Sequence, residues 1–286
     1  MISVTKDFNT PPAKLSCPEC LEKIRNAVAV GNTHRFDSSY YRKGSISELK
    51  IIYKSKCGYC ETNSEAGATF RIDHFRPKKN IKDVVDHPGY YWLAYEWSNL
   101  VLACDTCNNK KSNKFPLAPT GLRVTLPFIP ANGLPNVDYL SSNSNLFLEE
   151  EALLLNPEID NVEDDLIFLP TGKVKGITAR GRTTIDVCKL NRDPLFTARK
   201  KMIDGFLAKL KKCIADYLTT NDDNILKYSL KNIFVEIKEL QNQENVYSRV
   251  GWFMFHKFHL FFTDKLGLKQ RTVIQRTFNL FLINRL

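Results

Sequence analysis

The sequence predicts an α+β chain: a small, metal-stapled core of strands and helix embedded in a mostly helical protein that ends in a helical bundle. Three observations predict it. Two Cys-x-x-Cys pairs, Cys57/Cys60 and Cys104/Cys107, bracket one coherent segment. Pro and Gly punctuate short apolar runs through residues 119–182, as strands and loops require. After Thr183, apolar residues recur near i, i+3, i+4 and i+7 to the last residue, the period of amphipathic helices. The division that follows is 1–55 helical, 56–118 metal-stapled core, 119–182 strand and loop extension, and 183–286 helical region.

Within residues 1–55, "PAKLSCPECLEKIRNAVAV" has apolar residues near helical spacing, and "SISELKIIYKSK" opens on a serine suited to cap a helix. In the extension, "LRVTLPFIP", "NLFLEEEALLLNP" and "DLIFLPTGKVKGI" read as strands and loops, with "LPTGKV" a hairpin turn and "LEEE" (148–151) on a surface strand. "DPLFTARKKMIDGFLAKLKKCIADYL" opens with Pro194 at a helix start, and "NDDNILKYSLKNIFVEIKELQ" opens on capping residues. "VGWFMFHKFHLFF" is broken by His256, Lys257 and His259 and reads as a buried helix, the two histidines packing rather than ligating. No internal repeat or low-complexity tract interrupts the chain.

The 286 residues suffice for one large domain or two smaller ones. Apolar and charged content is ordinary for a globular chain, but the formal charge of +10 is not, and it points to a polyanionic partner, nucleic acid first. The start lacks the pattern of a secretory signal, and no run is apolar enough for a membrane span. The expectation is therefore a cytoplasmic protein with no membrane partner. In that reducing setting paired Cys-x-x-Cys units signal metal more than disulfide.

Cys57, Cys60, Cys104 and Cys107 form the ligand set of a tetrahedral structural zinc site, with the whole of residues 61–103 inserted between the knuckles. Cys17 and Cys20 make a third such pair with no second half. Cys188 and Cys213 sit on apolar helical faces as free thiols.

Between and just beyond the knuckles lie "RIDHFRPKK" and "YEWSNLVLACDTCNNKKSNKFP". Phosphodiester hydrolysis needs a base for water, a divalent metal for the phosphate and leaving oxygens, and cations for the backbone. His74 titrates in the range of a base. Asp73 and Asn108 offer hard oxygen ligands suited to Mg2+ or Mn2+. Neighbours on a strand point to opposite faces, so Asp73 and His74 share a side only where the strand bends or ends, and Pro77 supplies an early end. Arg76, Lys78, Lys79, Lys110, Lys111 and Lys114 form a cluster for phosphate contacts.

The pattern Cys-x-x-Cys, Asp-His, Asn-Leu, Cys-x-x-Cys-Asn resembles the HNH nucleases, which have a ββα-metal core with a zinc knuckle around it; the match covers Cys57 to about Pro116. The resemblance implies His74 as general base, with Asp73 and Asn108 as ligands of a catalytic Mg2+ or Mn2+. It implies that Asn99 holds the loop and orients the histidine, and that Lys111 sits near the phosphate. "YYWLAYEWSNLVLACDTCNNKKSNKFPL", "ALLLNPEIDNVEDDLIF" and "TTIDVCKLNRDPLFTARK" further resemble the HNH subunit of Septu-type and retron-associated anti-phage systems over residues 50–200. There Leu155, Asn156, Pro157 and Asp160 match a wider pattern and imply a backbone-fixing role. The implied activity is a metal-dependent endonuclease, on DNA first with RNA left open, acting in defence beside an ABC/SMC-like ATPase subunit. The competing expectation is a zinc-stapled binding or adaptor module that does not cut.

Overall fold

A computed structural model of the chain describes residues 1–63 and 69–286. They fall into two compact units, Met1–Leu166 with Gly176–Lys189, and Ile167–Lys175 with Leu190–Leu286. Helices α1 (Pro18–Val30) and α2 (Ile46–Ile52) precede strand β1 (Phe70–His74). Strand β2 (Leu100–Cys104) pairs antiparallel with β1, in a register that sets Phe70 opposite Cys104 and His74 opposite Leu100. Helix α3 (Asp105–Lys111) follows β2 at once, completing a ββα unit.

The first unit is held by an aromatic core under the long β1–β2 connection. Phe75 and Tyr90 pack edge-on against Phe115 with ring centroids 5.5 and 5.7 Å apart. Phe147, brought in by the 119–182 extension, closes on Tyr90 at 6.2 Å. Such aromatic pairs add about 0.5–1.5 kcal/mol each beyond area burial, which ties the extension to the ββα unit. The N-terminal residues are laced in by another route: the buried Lys6 ammonium donates to the carbonyls of Trp97 and Leu100, 2.8 Å each.

The extension departs from its sequence pattern. "LRVTLPFIP" is loop, and "NLFL" is a single helical turn, Asn145–Leu148. Glu150 of "LEEE" is not on a surface strand; it is fully buried, accepting from Arg76 Nε (2.7 Å) and from Tyr90 Oη. An alternating pattern cannot reveal a carboxylate drawn inside by a distant guanidinium. The "LPTGKV" turn does form, joining β3 (Leu166–Phe168) to β4 (Val174–Gly176). Gly172 stands there at φ +79°, where a Cβ would lie 2.3 Å from the Phe196 carbonyl, so the turn needs glycine.

Helix α4 (Ala179–Cys188) ends the first unit. The second unit is built from α5 (Asp193–Thr220), α6 (Asp223–Glu239), α7 (Ser248–His256) and α8 (Leu268–Leu282). Pro194 occupies the first turn of α5, and the Asp222 carboxylate caps α6 by accepting from Asn224 and Ile225 N–H. Phe258 and Phe278 stack at 3.9 Å, with Phe234 edge-on to both, forming the centre of its core. His256 stacks on Trp252 and meets Gln241, which fits a packing role. Among the described residues no helix is long and apolar enough to cross a membrane.

Candidate active site

The frame of the site is a thiolate cluster. Cys57, Cys60, Cys104 and Cys107 are all buried and unlinked by disulfide, with sulfurs within 4.8 Å of one another. Cys60 Sγ and Cys104 Sγ are 3.7 Å apart. Zn–S bonds of ~2.3 Å at tetrahedral angles place sulfurs about 3.8 Å apart, so the donors fit zinc in type, number and spacing. The second knuckle also builds the helix, since Cys104 caps α3 by accepting from Cys107 N–H at 3.4 Å. The first knuckle is pinned to β2 by Gly58 N–H on the Leu102 carbonyl, 2.9 Å.

β1 ends at His74, and there Asp73 and His74 line one pocket of about 500 Å³ together with Asn108. The strand's end resolves the opposite-face problem that adjacent residues pose. Asn108 and Lys111, three apart on α3, share the helix face turned to β1. Lys111 Nζ reaches the His74 carbonyl at 2.7 Å and Asp73 Oδ2 at 3.1 Å. Tyr59, between the two thiolates of the first knuckle, donates to Asp73 Oδ2 at 2.7 Å. Asp73 Oδ1 is more loosely held, 3.3 Å from Lys111, and is the freer oxygen for a divalent ion alongside the Asn108 amide oxygen. Burial pushes the Asp73 carboxyl up from its ordinary value, with Lys111 opposing the shift.

His74 Nε2 lies 2.9 Å from the Ala94 carbonyl. A carbonyl only accepts, so Nε2 carries the proton and Nδ1 keeps its lone pair. Lys78 Nζ sits 3.1 Å from that Nδ1, and the Tyr41 ring packs edge-on to the imidazole at 4.8 Å. Burial, reinforced by the Lys78 cation, holds the His74 pKa well below the usual histidine range, so the ring is a neutral base at neutral pH. Lys78 itself is lowered by burial to about 8.

Asn99 is wholly buried just before β2 and is not among the residues lining the pocket that holds Asp73, His74 and Asn108. Its Oδ1 accepts from Arg76 N–H (2.8 Å), and its Nδ2 donates to the Arg76 and Leu93 carbonyls (3.0 and 3.2 Å). It clamps both ends of the β1–β2 connection, and Leu93 is the neighbour of the residue whose carbonyl orients His74.

The basic cluster divides. Arg76 and Lys111 leave the phosphate-facing set expected of them, because both are buried against carboxylates, Glu150 and Asp73, as buried cations must be. Lys79 and Lys110 are exposed and Lys114 is half-buried; of the six, Lys78 alone lines the pocket. Sequence reasoning missed Arg42 and Tyr41, on and just after the one-turn helix Ser38–Tyr41, which wall the same pocket. No spacing signal links them to His74; the contact is purely tertiary. It missed Tyr59 too, although its place inside "CGYC" was a local cue. Cys17 and Cys20 join no metal-ligand cluster among the described residues.

With this geometry in place, residues 57–114 match the family model for HNH endonuclease. The chain resembles that family over this segment. It is similar to the Septu protein PtuB of Bacillus mycoides (strain KBAB4), 34% identical over 209 residues, which is 70% of this chain and 64% of that relative. It is also similar to the Septu protein PtuA of the same strain, 28% identical over 162 residues, 55% of this chain and 20% of that protein. The matched region thus spans just under two thirds of PtuB and a fifth of PtuA. No solved structure matches the chain significantly.

Proposed function

We propose that this HNH domain is a metal-dependent endonuclease that hydrolyses phosphodiester bonds, DNA first and RNA not excluded. The observation that carries it is the single pocket lined by Asp73, His74 and Asn108, with His74 tied through Nε2 and its Nδ1 lone pair on the pocket side, toward Lys78. Asp73 and Asn108 would hold Mg2+ or Mn2+, which when bound supplies charge stabilisation at the phosphate and leaving oxygens. His74 Nδ1 takes the proton from the attacking water. Lys78 must first leave Nδ1, and an incoming phosphate, which attracts its ammonium, provides the reason. Arg42 lies where a second phosphate contact is needed, and the exposed Lys79 and Lys110 extend the positive surface outward. The likeness to Septu proteins supports service as the nuclease effector of an anti-phage system, and we assign an ABC/SMC-like ATPase subunit as its partner. Helices α5–α8, which contribute nothing to this pocket, are candidates for that docking.

The test is zinc-loaded wild type against His74→Ala, incubated with plasmid DNA and with total RNA in Mn2+ or EDTA. Cutting by the wild type alone, and only with metal, is expected. Equal cutting by both proteins refutes the assigned base. Binding without cutting, with or without the ATPase partner, supports the adaptor reading instead.

A further inference from the structure

A third Cys-x-x-Cys pair stands apart from the zinc frame. Cys17 is the N-cap of α1 and Cys20 lies in its first turn, with Pro18 between them fixing the helix start. The Cys20 N–H bonds to the Cys17 carbonyl at 3.0 Å, so the two residues close one tight turn. Such a turn holds its end Cα atoms less than ~7 Å apart, and disulfides span ~4.4–6.8 Å between Cα atoms.

The two thiols are unequal. Cys17 is partly exposed, and its Sγ does no capping, donating instead to the Lys14 carbonyl at 3.4 Å. Cys20 is wholly buried on the α1 stripe that it shares with Ile24 and Ala27. Burial pushes the Cys20 thiol up to about 12, and the Cys17 sulfur adds to the shift, so each sulfur is within reach of the other's charge. A thiol held there stays protonated, which leaves Cys17 as the member that meets a reagent from solvent. An accessible thiol with a second one poised beside it is the arrangement of dithiol sensors.

We propose that Cys17 and Cys20 form a reversible dithiol–disulfide site oxidised by hydroperoxides, Cys17 reacting first and Cys20 resolving it. Cys17 Sγ attacks one peroxide oxygen, the O–O bond breaks, and the leaving alkoxide or hydroxide takes the thiol proton, giving a sulfenic acid. Cys20 Sγ then attacks that sulfur, the S–O bond breaks, and water leaves with the Cys20 proton as the S–S bond forms. The two thiols are oxidised by two electrons in all, and the hydroperoxide is reduced to one alcohol and one water, or to two waters from hydrogen peroxide. Cys20 lies near Tyr95, which follows Ala94, the residue whose carbonyl meets His74. The bond would form beside that segment, but the proposal rests on the thiols alone and uses no nuclease activity.

The test uses the full-length, zinc-loaded protein, reduced, freed of reductant and treated with rising hydrogen peroxide. It is quenched in acid, alkylated in denaturant and digested with trypsin for mass spectrometry, with zinc release followed in parallel. The tryptic peptide Leu15–Lys23 carries both cysteines. It is expected to lose the mass of two hydrogens and escape alkylation before zinc is released, and to recover both thiols in dithiothreitol. Cys20→Ser should leave Cys17 as a sulfenic acid trapped by dimedone. Cys17→Ser keeps a side chain suited to the N-cap and should leave Cys20 reduced at the same dose. Circular dichroism and zinc content matching wild type qualify each variant; if Cys20→Ser misfolds, the wild-type and Cys17→Ser peptides decide. Both cysteines still fully alkylated at the dose that releases zinc overturn the proposal. So does Cys17 passing to a sulfinic acid with Cys20 reduced, oxidation of Cys20 in Cys17→Ser, a bridge between two copies, or a second zinc ion bound by the wild type and lost in Cys17→Ser.

Discussion

Replacing Asn99 with alanine isolates the residue that joins fold to chemistry. The substitution strands two buried backbone groups, the Arg76 N–H and the Arg76 carbonyl, and takes one of two donors from the Leu93 carbonyl, which keeps the Glu96 N–H at 3.3 Å. A buried group left unmet costs about 1–3 kcal/mol. The carbonyls each retain a second lone pair and lie at the low end; the N–H has one bond to lose and lies higher. Together with the small void, the loss is about 3–5 kcal/mol, a large part of the ~5–15 kcal/mol that holds a typical domain. For a unit of this size each kcal/mol moves the melting temperature ~2–4 °C, so a fall of roughly 6–20 °C is expected in calorimetry of the zinc-loaded protein. Cleavage should fall as well, because the Leu93–Ala94 segment is freed and the Ala94 carbonyl no longer fixes the His74 tautomer. Asn99→Asp keeps the Oδ1 acceptor and should retain part of the stability. An Asn99→Ala protein that melts like wild type would refute the clamp, and normal cleavage in a destabilised one would refute the link to His74.

His74→Ala should cut cleavage about 10²–10⁴-fold, the usual worth of a general base, measured on protein whose circular dichroism and zinc content match wild type. Because His74 is held well below the ordinary histidine value, the rate of the base step should stay flat from pH 8 to 6.5 and fall only at lower pH, read from a pH–rate profile. The same shift makes the unfolded chain the better proton acceptor below about 6.5. Stability attached to His74 is therefore present above that value and lost as pH falls, and His74→Gln should flatten this slope in urea titrations at pH 5 and 7. Stripping zinc with a chelator, or Cys60→Ser, should unfold the ββα unit, since structural zinc contributes an apparent ~10–16 kcal/mol; zinc analysis alongside circular dichroism checks it. Glu150→Gln should cost about 3–5 kcal/mol by leaving the Arg76 charge uncompensated, and Glu150→Gln with Arg76→Met should recover most of it in denaturant titrations.

Much of this protein is local and was open to reading in the chain. Four cysteines in two tight knuckles announce a zinc cluster because ligand spacing within a knuckle is set by a few backbone torsions. Asp73-His74, Asn99 and Asn108 announce the nuclease because each stands at a fixed offset from a knuckle or strand end. The helical texture after Thr183 follows from periodicity alone. What no local pattern holds is which distant charges meet indoors. Arg76 and Lys111 look like surface cations until Glu150, some seventy residues away in sequence, and Asp73 draw them inside, where an unpaired charge would be prohibitively costly. Arg42 and Tyr41 look like members of an unremarkable helical segment until the fold lays that segment against His74. The sequence by itself determined the paired cysteine knuckles, the Asp73-His74 pair beside them and the helical half of the molecule; only the tertiary structure decided which cations are buried against carboxylates and which stay exposed, because burial and pairing depend on residues far apart along the chain.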